Sequence, residues 1–210
     1  TSAWAADLAT LGSLEEGTLV TTNREGLMFN HDGSFENGMA WQLNGIAPPD
    51  IGAFGECFDL TGEGMITSVT LWLTQIGNFF GQSIDVYVWE GSPPNGNVLA
   101  VLPGVVLNDV AFWPEISEHE IPLDLPVNGM VTVGYWGNWP GETAGFFCAT
   151  DENCPGGCPW TNVAPGIGFP EGWQHPNVAW PDMVAAGIGV TTQGTTATVE
   201  KSWSAINSLY

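Results

Sequence analysis

The stretch SEHEIPL sets Glu118 and Glu120 on either side of His119. On an extended strand the two carboxylates share one face, about 7 Å apart, a separation that suits inverting glycoside hydrolysis. Acidic residues on the wet face of a strand are commonplace, however, in a chain that holds 23 of them. The remaining parts of an active site are missing: there is no Gly-x-Ser-x-Gly elbow, no His-Glu-x-x-His pair, no phosphate loop and almost no cation to stabilise an oxyanion. The expectation is a protein that is not an enzyme and carries no catalytic residue.

NHDGSFEN places side-chain oxygens at Asn30, Asp32, Ser34 and Glu36, alternating as calcium loops do, with Gly33 permitting a tight turn. These four are the candidate metal ligands and calcium the candidate cofactor. The longer spacing to a bidentate Glu is absent, and an Asp-Gly turn before a strand accounts for the same residues. A second acidic turn, ATDENC, reads as a solvated loop.

Four cysteines, Cys57, Cys148, Cys154 and Cys158, suit one local and one longer bridge in an oxidising compartment. Of the three connectivities, Cys154 with Cys158 and Cys57 with Cys148 is the pairing expected. Adding His175 to three of them gives zinc-type residues without a familiar zinc spacing, so disulfides are preferred. The remaining chemistry is aromatic. Trp136 and Trp139 in GYWGNWPG, with Trp173 and His175 in the long loop beyond Cys158, form a candidate ligand-binding set. Exposed rings of this kind bind sugars, and extracellular polysaccharide is the partner they suggest. Tryptophan beside Pro and Gly also packs as a lid over a sandwich edge, or makes protein–protein contacts.

The elements that must position these residues follow from composition and alternation. With 44% hydrophobic residues, 28 Gly, 15 Pro and 11 Trp, the chain is too apolar for disorder and too interrupted for a helical bundle. Segments such as MITSVTLWLTQ, SIDVYVWE, VLAVL, SEHEIPL, MVTVGYWG and AGIGVTT are bounded by Gly, Pro, Asn or Asp and read as strands. In SIDVYVWE, Ile84, Val86 and Val88 take one face and Asp85, Tyr87 and Trp89 the other, the period of a half-buried strand. The apolar period in MITSVTLWLTQ breaks step between Ile66 and Val69, where a bulge is expected. Cys154 to Pro181 reads as a long ordered surface loop. The fold class expected is all-β, a jelly-roll-like β-sandwich of about ten strands with long ordered loops. Residues 18–198 would form this single domain. A short helical or extended segment, 1–17, would precede it as an assembly arm, and a tail, 199–210, would follow.

A formal charge of −21, from two basic residues (Arg24 and Lys201) against 23 acidic ones, argues against nucleic acid and anionic membranes as partners. No apolar run approaches a membrane span, so membrane insertion is not expected. The chain begins at Thr1 rather than Met, as a product of signal-peptide removal would, and secretion is the expected localisation.

SIDVYVWEGSPPNGNVLAVLPGVVL, then SEHEIPLDLPVNGMVTVGYWG, GNWPGETAGFF, GGCPWTNVAPGIGFPEGW and the closing VEKSWSAINSLY together resemble a group of secreted bacterial jelly-roll proteins. Their chains end in a tail of the Ser/Thr-Trp-Gly-x-Ile-Lys-x-Leu-Tyr type. Here Ser204 stands where Gly is usual and Asn207 where Lys is usual. The resemblance implies an extracellular β-sandwich and supplies no catalytic residue. The apolar ends, with Trp4, Leu8 and Leu11 at one and Trp203, Ile206, Leu209 and Tyr210 at the other, are candidate assembly residues. The leading expectation is a homo-polymeric structural protein that builds a filament or surface layer, with calcium managing its charge. A carbohydrate-binding module or adhesin is the alternative.

Overall fold

β-branched and aromatic residues at alternate positions build two stacked sheets, and every strand pairing within them is antiparallel. The computed structural model describes residues 26–62, 64–139, 145–154 and 156–193, together with the backbone of 8–10. The larger sheet runs in the order β1 (Leu8–Thr10), β3 (Asn37–Trp41), β10 (Phe147–Asp151), β5 (Gly64–Thr74), β14 (Ile188–Gln193), β2 (Leu27–Phe29). In the same sheet β8 (Ser117–Val127) lies along β5, and the two-residue β13 (Ala185–Ala186) lies along β10. The smaller sheet runs β12 (Gly172–Gln174), β11 (Pro159–Val163), β4 (Phe54–Asp59), β9 (Met130–Gly137), β6 (Ser83–Glu90), β7 (Val98–Val106).

The inner faces interlock as the alternation requires. Val69, Leu71 and Leu73 of β5 belong to the same buried cluster as Ile84, Val86 and Val88 of β6 and Val131 and Val133 of β9. The break in step on β5 is a bulge, a register shift against β8 between Ile66 and Ser68. The chain passes from β13, paired with β10, to β14, paired with β5, through Gly187, whose N–H donates to Ala149 O and whose carbonyl accepts from Trp72 N–H. A Cβ there would lie 3.0 Å from the Ala149 oxygen, so the fork needs glycine.

Three expectations change. The described residues hold fourteen strands rather than about ten, because short pieces too brief to show a period still pair. The stretch from Cys154 to Pro181 contains β11 and β12; Pro159 is admitted as the first residue of its strand. The outer face of β6 is not wet, since Tyr87 and Trp89 are buried under a loop. Leu8 lies in β1, where the extended option holds and pairs with β3, so part of the N-terminal segment belongs to the sheet. Trp4, Leu11, Trp203, Ile206, Leu209 and Tyr210 lie outside the described residues.

Candidate functional site

The sandwich has two long flanks, and they are built differently. On the first, β4 and β11 lie over β3, β10 and β13. β4 alternates so that Phe54, Glu56 and Phe58 point between the sheets, which buries the Glu56 carboxylate completely. One of its oxygens accepts from Asn30 Nδ2 at 2.8 Å and from the Cys158 N–H, and the other accepts from Ala186 N–H at 2.8 Å. Burial pushes its pKa up to about 7 against these three donors. Asn30 Nδ2 also reaches Cys57 O at 2.9 Å. Glu56 thus ties both sheets and the segment that follows β2 to one point, and its partners are all protein donors.

The disulfide on this flank joins Cys57 to Cys158, not the pairs expected. The β4–β11 register sets Pro159 opposite Glu56, which brings Cys158 against Cys57 with Cα atoms 5.4 Å apart. Cys148 and Cys154 are free thiols. Cys148 faces the core from β10, where burial pushes its thiol up to about 12. Cys154 is held at a turn by its N–H to Asp151 Oδ1 at 2.8 Å, its thiol also raised by burial.

Three of the four calcium candidates meet: Ser34 Oγ lies 2.7 Å from Asp32 Oδ1 and 3.1 Å from Glu36 Oε1, while the fourth, Asn30, turns elsewhere. Asn30 is engaged by Glu56 and Cys57. Asp32 Oδ1 accepts from both the N–H and the hydroxyl of Ser34, and Glu36 Oε2 accepts from Glu152 N–H at 2.9 Å. Asp151 likewise takes the N–H groups of Asp32, Asn153 and Cys154. These carboxylates organise loops by accepting from backbone. Among the described residues no group of three or more His, Cys, Asp or Glu is arranged to hold a metal ion. His31, between them in sequence, sits in an aromatic box of Phe29, Phe35 and Trp72, and burial lowers its pKa to about 4.

The sugar-binding set is largely interior. Trp136 is buried, with Nε1 donating to Ile51 O at 2.8 Å. Trp139 lies in the core on Gly137, where a Cβ would come within 1.7 Å of its ring. Trp173 is half-buried and edge-on to Trp89 at 4.8 Å, and His175 Nδ1 accepts from Asn177 N–H. Residues 46–51 roof this face: Tyr87 donates to Pro49 O, and Trp89 and Asn162 donate to the two oxygens of Asp50. Tyr87, Trp89 and Trp136 lie beneath this roof.

The second flank is open. β7 and β8 are the outermost strands of their sheets there, each pairing with a single described strand, β6 and β5 respectively. A surface groove of about 330 Å³ runs between them. Val105, Val106 and Leu107 form one wall; Asp109, Glu118 and Glu120 make the other acidic, with Ile121 and His119 on β8 between them. Glu118 and Glu120 share a face as read from sequence, and Glu120 accepts from Ser68 Oγ at 2.8 Å. His119 Nδ1 lies 3.5 Å from Asp109 and Nε2 lies 2.7 Å from Ser117 Oγ. That order of groups is the one a serine nucleophile uses, but Ser117 Oγ already accepts from Ala111 N–H at 2.8 Å and does not line the groove. The chain Asp109–His119–Ser117–Ala111 therefore pins the 108–117 loop to β8. Burial holds His119 below its ordinary pKa despite the Asp109 charge.

β7 was read from sequence only as a strand, and its place at the edge gives it a second property. The large hydrophobic side chains that stand exposed among the described residues are Val98, Leu99, Val101 and Val106 on β7, Ile76, Phe80 and Phe112 on loops near its end, and Met130 at the start of β9, two strands away. No charge occurs from Gly91 to Asn108. β8, by contrast, carries Glu118, Glu120 and Asp124 with Pro122 and Pro126, the devices that blunt an edge.

The chain matches no protein-family model and no curated protein. No helix among the described residues is long and apolar enough to cross a membrane.

Proposed function

We propose that this chain is a non-enzymatic, secreted structural module that associates with further copies of itself along β7 and so builds an extracellular filament or layer. The observation that carries this is that four of the eight large hydrophobics exposed among the described residues, Val98, Leu99, Val101 and Val106, lie on the edge strand β7. A row of free backbone N–H and C=O groups beside apolar side chains is a template for another strand, and contiguous exposed apolar surface marks an interaction site. The disulfide accords with an oxidising compartment. A charge of −21 opposes contact between copies, so association strengthens as salt or calcium screens it. Trp136 and Trp139 are interior, which leaves Trp173 and His175 as the accessible members of the sugar-binding set.

Light scattering and negative-stain imaging of purified chain, at rising salt and with calcium and then chelator, test this. Ordered polymers that grow with ionic strength are expected. A monodisperse species of 22.3 kDa in every condition overturns the reading.

A further inference from the structure

The assembly reading leaves open what strand β7 receives. We infer that it is the carboxy-terminal segment 194–210 of a second copy, entering beside β7 with Lys201 set against the acidic wall of the groove. The inference rests on the reading above, and electrostatics selects the segment. Direct β7-to-β7 pairing of two copies would bring two walls of Asp109, Glu118 and Glu120 toward each other, in molecules that already repel. An incoming strand must therefore be apolar along β7 and not negative beside the groove.

Two stretches of the chain outside the described residues are long enough to reach. Residues 11–25 contain Glu15, Glu16 and Glu25 against Arg24, a net charge of −2 (1 − 3). Residues 194–210 contain Glu200 and Lys201 alone, a net charge of zero and one of the chain's two basic side chains. The second segment is also the better strand. It has no proline, and Thr195, Thr196, Thr198 and Val199 are β-branched. Alternation would set Ala197, Val199 and Trp203 on one face together with Lys201. Seventeen residues span about 56 Å when extended, against about 30 Å for the nine of β7, so the segment can cover the edge with length to spare.

The attachment point makes the contact heterologous. Gln193 ends β14 opposite Met65, within the larger sheet, whereas β7 is the far edge of the smaller one. A donor segment and an acceptor edge on different parts of each copy generate an open chain of subunits rather than a closed pair. Pro103 interrupts the acceptor, since it offers no N–H, and leaves Val98 to Leu102 as the continuous pairing stretch.

The test uses the full chain and three variants, Val199→Pro in the donor, Lys201→Glu beside the groove and Val101→Lys in the acceptor, with sedimentation velocity as readout and circular dichroism to verify the fold. Expected results are at least tenfold weaker association for Val199→Pro and for Val101→Lys. Lys201→Glu should weaken it several-fold at low salt and less at high salt. A synthetic peptide of residues 194–210 should shorten wild-type polymers when added in excess. Val199→Pro assembling like wild type, with no effect of the peptide, overturns the donor assignment; if Val101→Lys still disrupts assembly, the β7 reading survives it. A wild-type chain that stays monomeric sinks both. Monomers whose edge binds the peptide only after Val199→Pro would place the segment on its own copy and overturn the claim of a second one.

Discussion

The two flanks of the sandwich contain similar materials and use them in opposite ways. On the closed flank, the Glu56 carboxylate meets three N–H donors and a disulfide lies beside it, so the polar groups there are spent on joining sheet to sheet. On the open flank, β7 and β8 carry only a groove between them and a histidine relay that fastens a loop. Closure costs buried polar groups their water and must recover it through hydrogen bonds; openness leaves apolar side chains in water and recovers nothing within one copy. The contrast places the polar joints between the sheets on one flank and leaves the other as the edge proposed for association.

Breaking the closed flank should have the largest effect. Replacing Cys57 and Cys158 together by Ala removes a cross-link separated by 101 residues, and a loss of about 4 to 5 kcal/mol in denaturant unfolding is expected. The folded fraction should still associate through β7; association lost in folded protein would mean that the flanks are not independent.

Next in size is the pH dependence of the same flank. The unfolded Glu56 carboxyl titrates near 4.5 and the folded one at about 7, so the folded state binds the proton more tightly. The stabilisation is fully present below 4.5 and is lost as pH rises through 7, a change of about 3 kcal/mol. His31 works the other way: folded at about 4 and unfolded at 6.5, it costs stability as pH falls through that interval. Unfolding curves of Glu56→Gln and wild type, compared from pH 4.5 to 8, isolate the carboxyl, and parallel curves would contradict a titrating Glu56.

On the open flank, Val101→Lys should weaken association at least tenfold, about 1.4 kcal/mol or more, with an unchanged unfolding midpoint. A shifted midpoint with intact association would assign β7 to folding instead. The smallest effect sharpens the difference between the two edges. Asp124→Asn, outside the acidic wall of the groove, removes one of the charges that guard β8, and association at low salt should rise up to about twofold, by light scattering, and converge with wild type at high salt.

Alternation made the sheets legible. Ile84, Val86 and Val88 point inward as their period requires, and the break at Ile66 is a bulge because two apolar residues cannot both face the core one position out of phase. The outer faces were not legible, because period two says which side a residue takes and not whether a loop roofs that side. Tyr87 and Trp89 fall on the second face of a strand expected to be half-buried, and Trp136 in the candidate ligand set, yet the 46–51 segment accepts hydrogen bonds from all three. Cysteine pairing failed for a related reason: closeness in sequence favoured Cys154 with Cys158, whereas the β4–β11 register decides the bridge. The spacing of Asp32, Ser34 and Glu36 does bring their oxygens together, whereas the backbone N–H groups that Asp32 and Glu36 accept from depend on the fold and on no count of residues. The edge character of β7 depends on sheet order, which long-range pairing sets.

The bridge between Cys57 and Cys158 encloses β5 through β10, both open-flank strands among them. Tension applied between a point before Cys57 and one beyond Cys158 would run through sulfur and bypass those hundred residues. About 340 Å of chain would thus be withheld from stretching. In a load-bearing polymer, each subunit would yield only its outer segments, and the contact-making edge would keep its shape under pull.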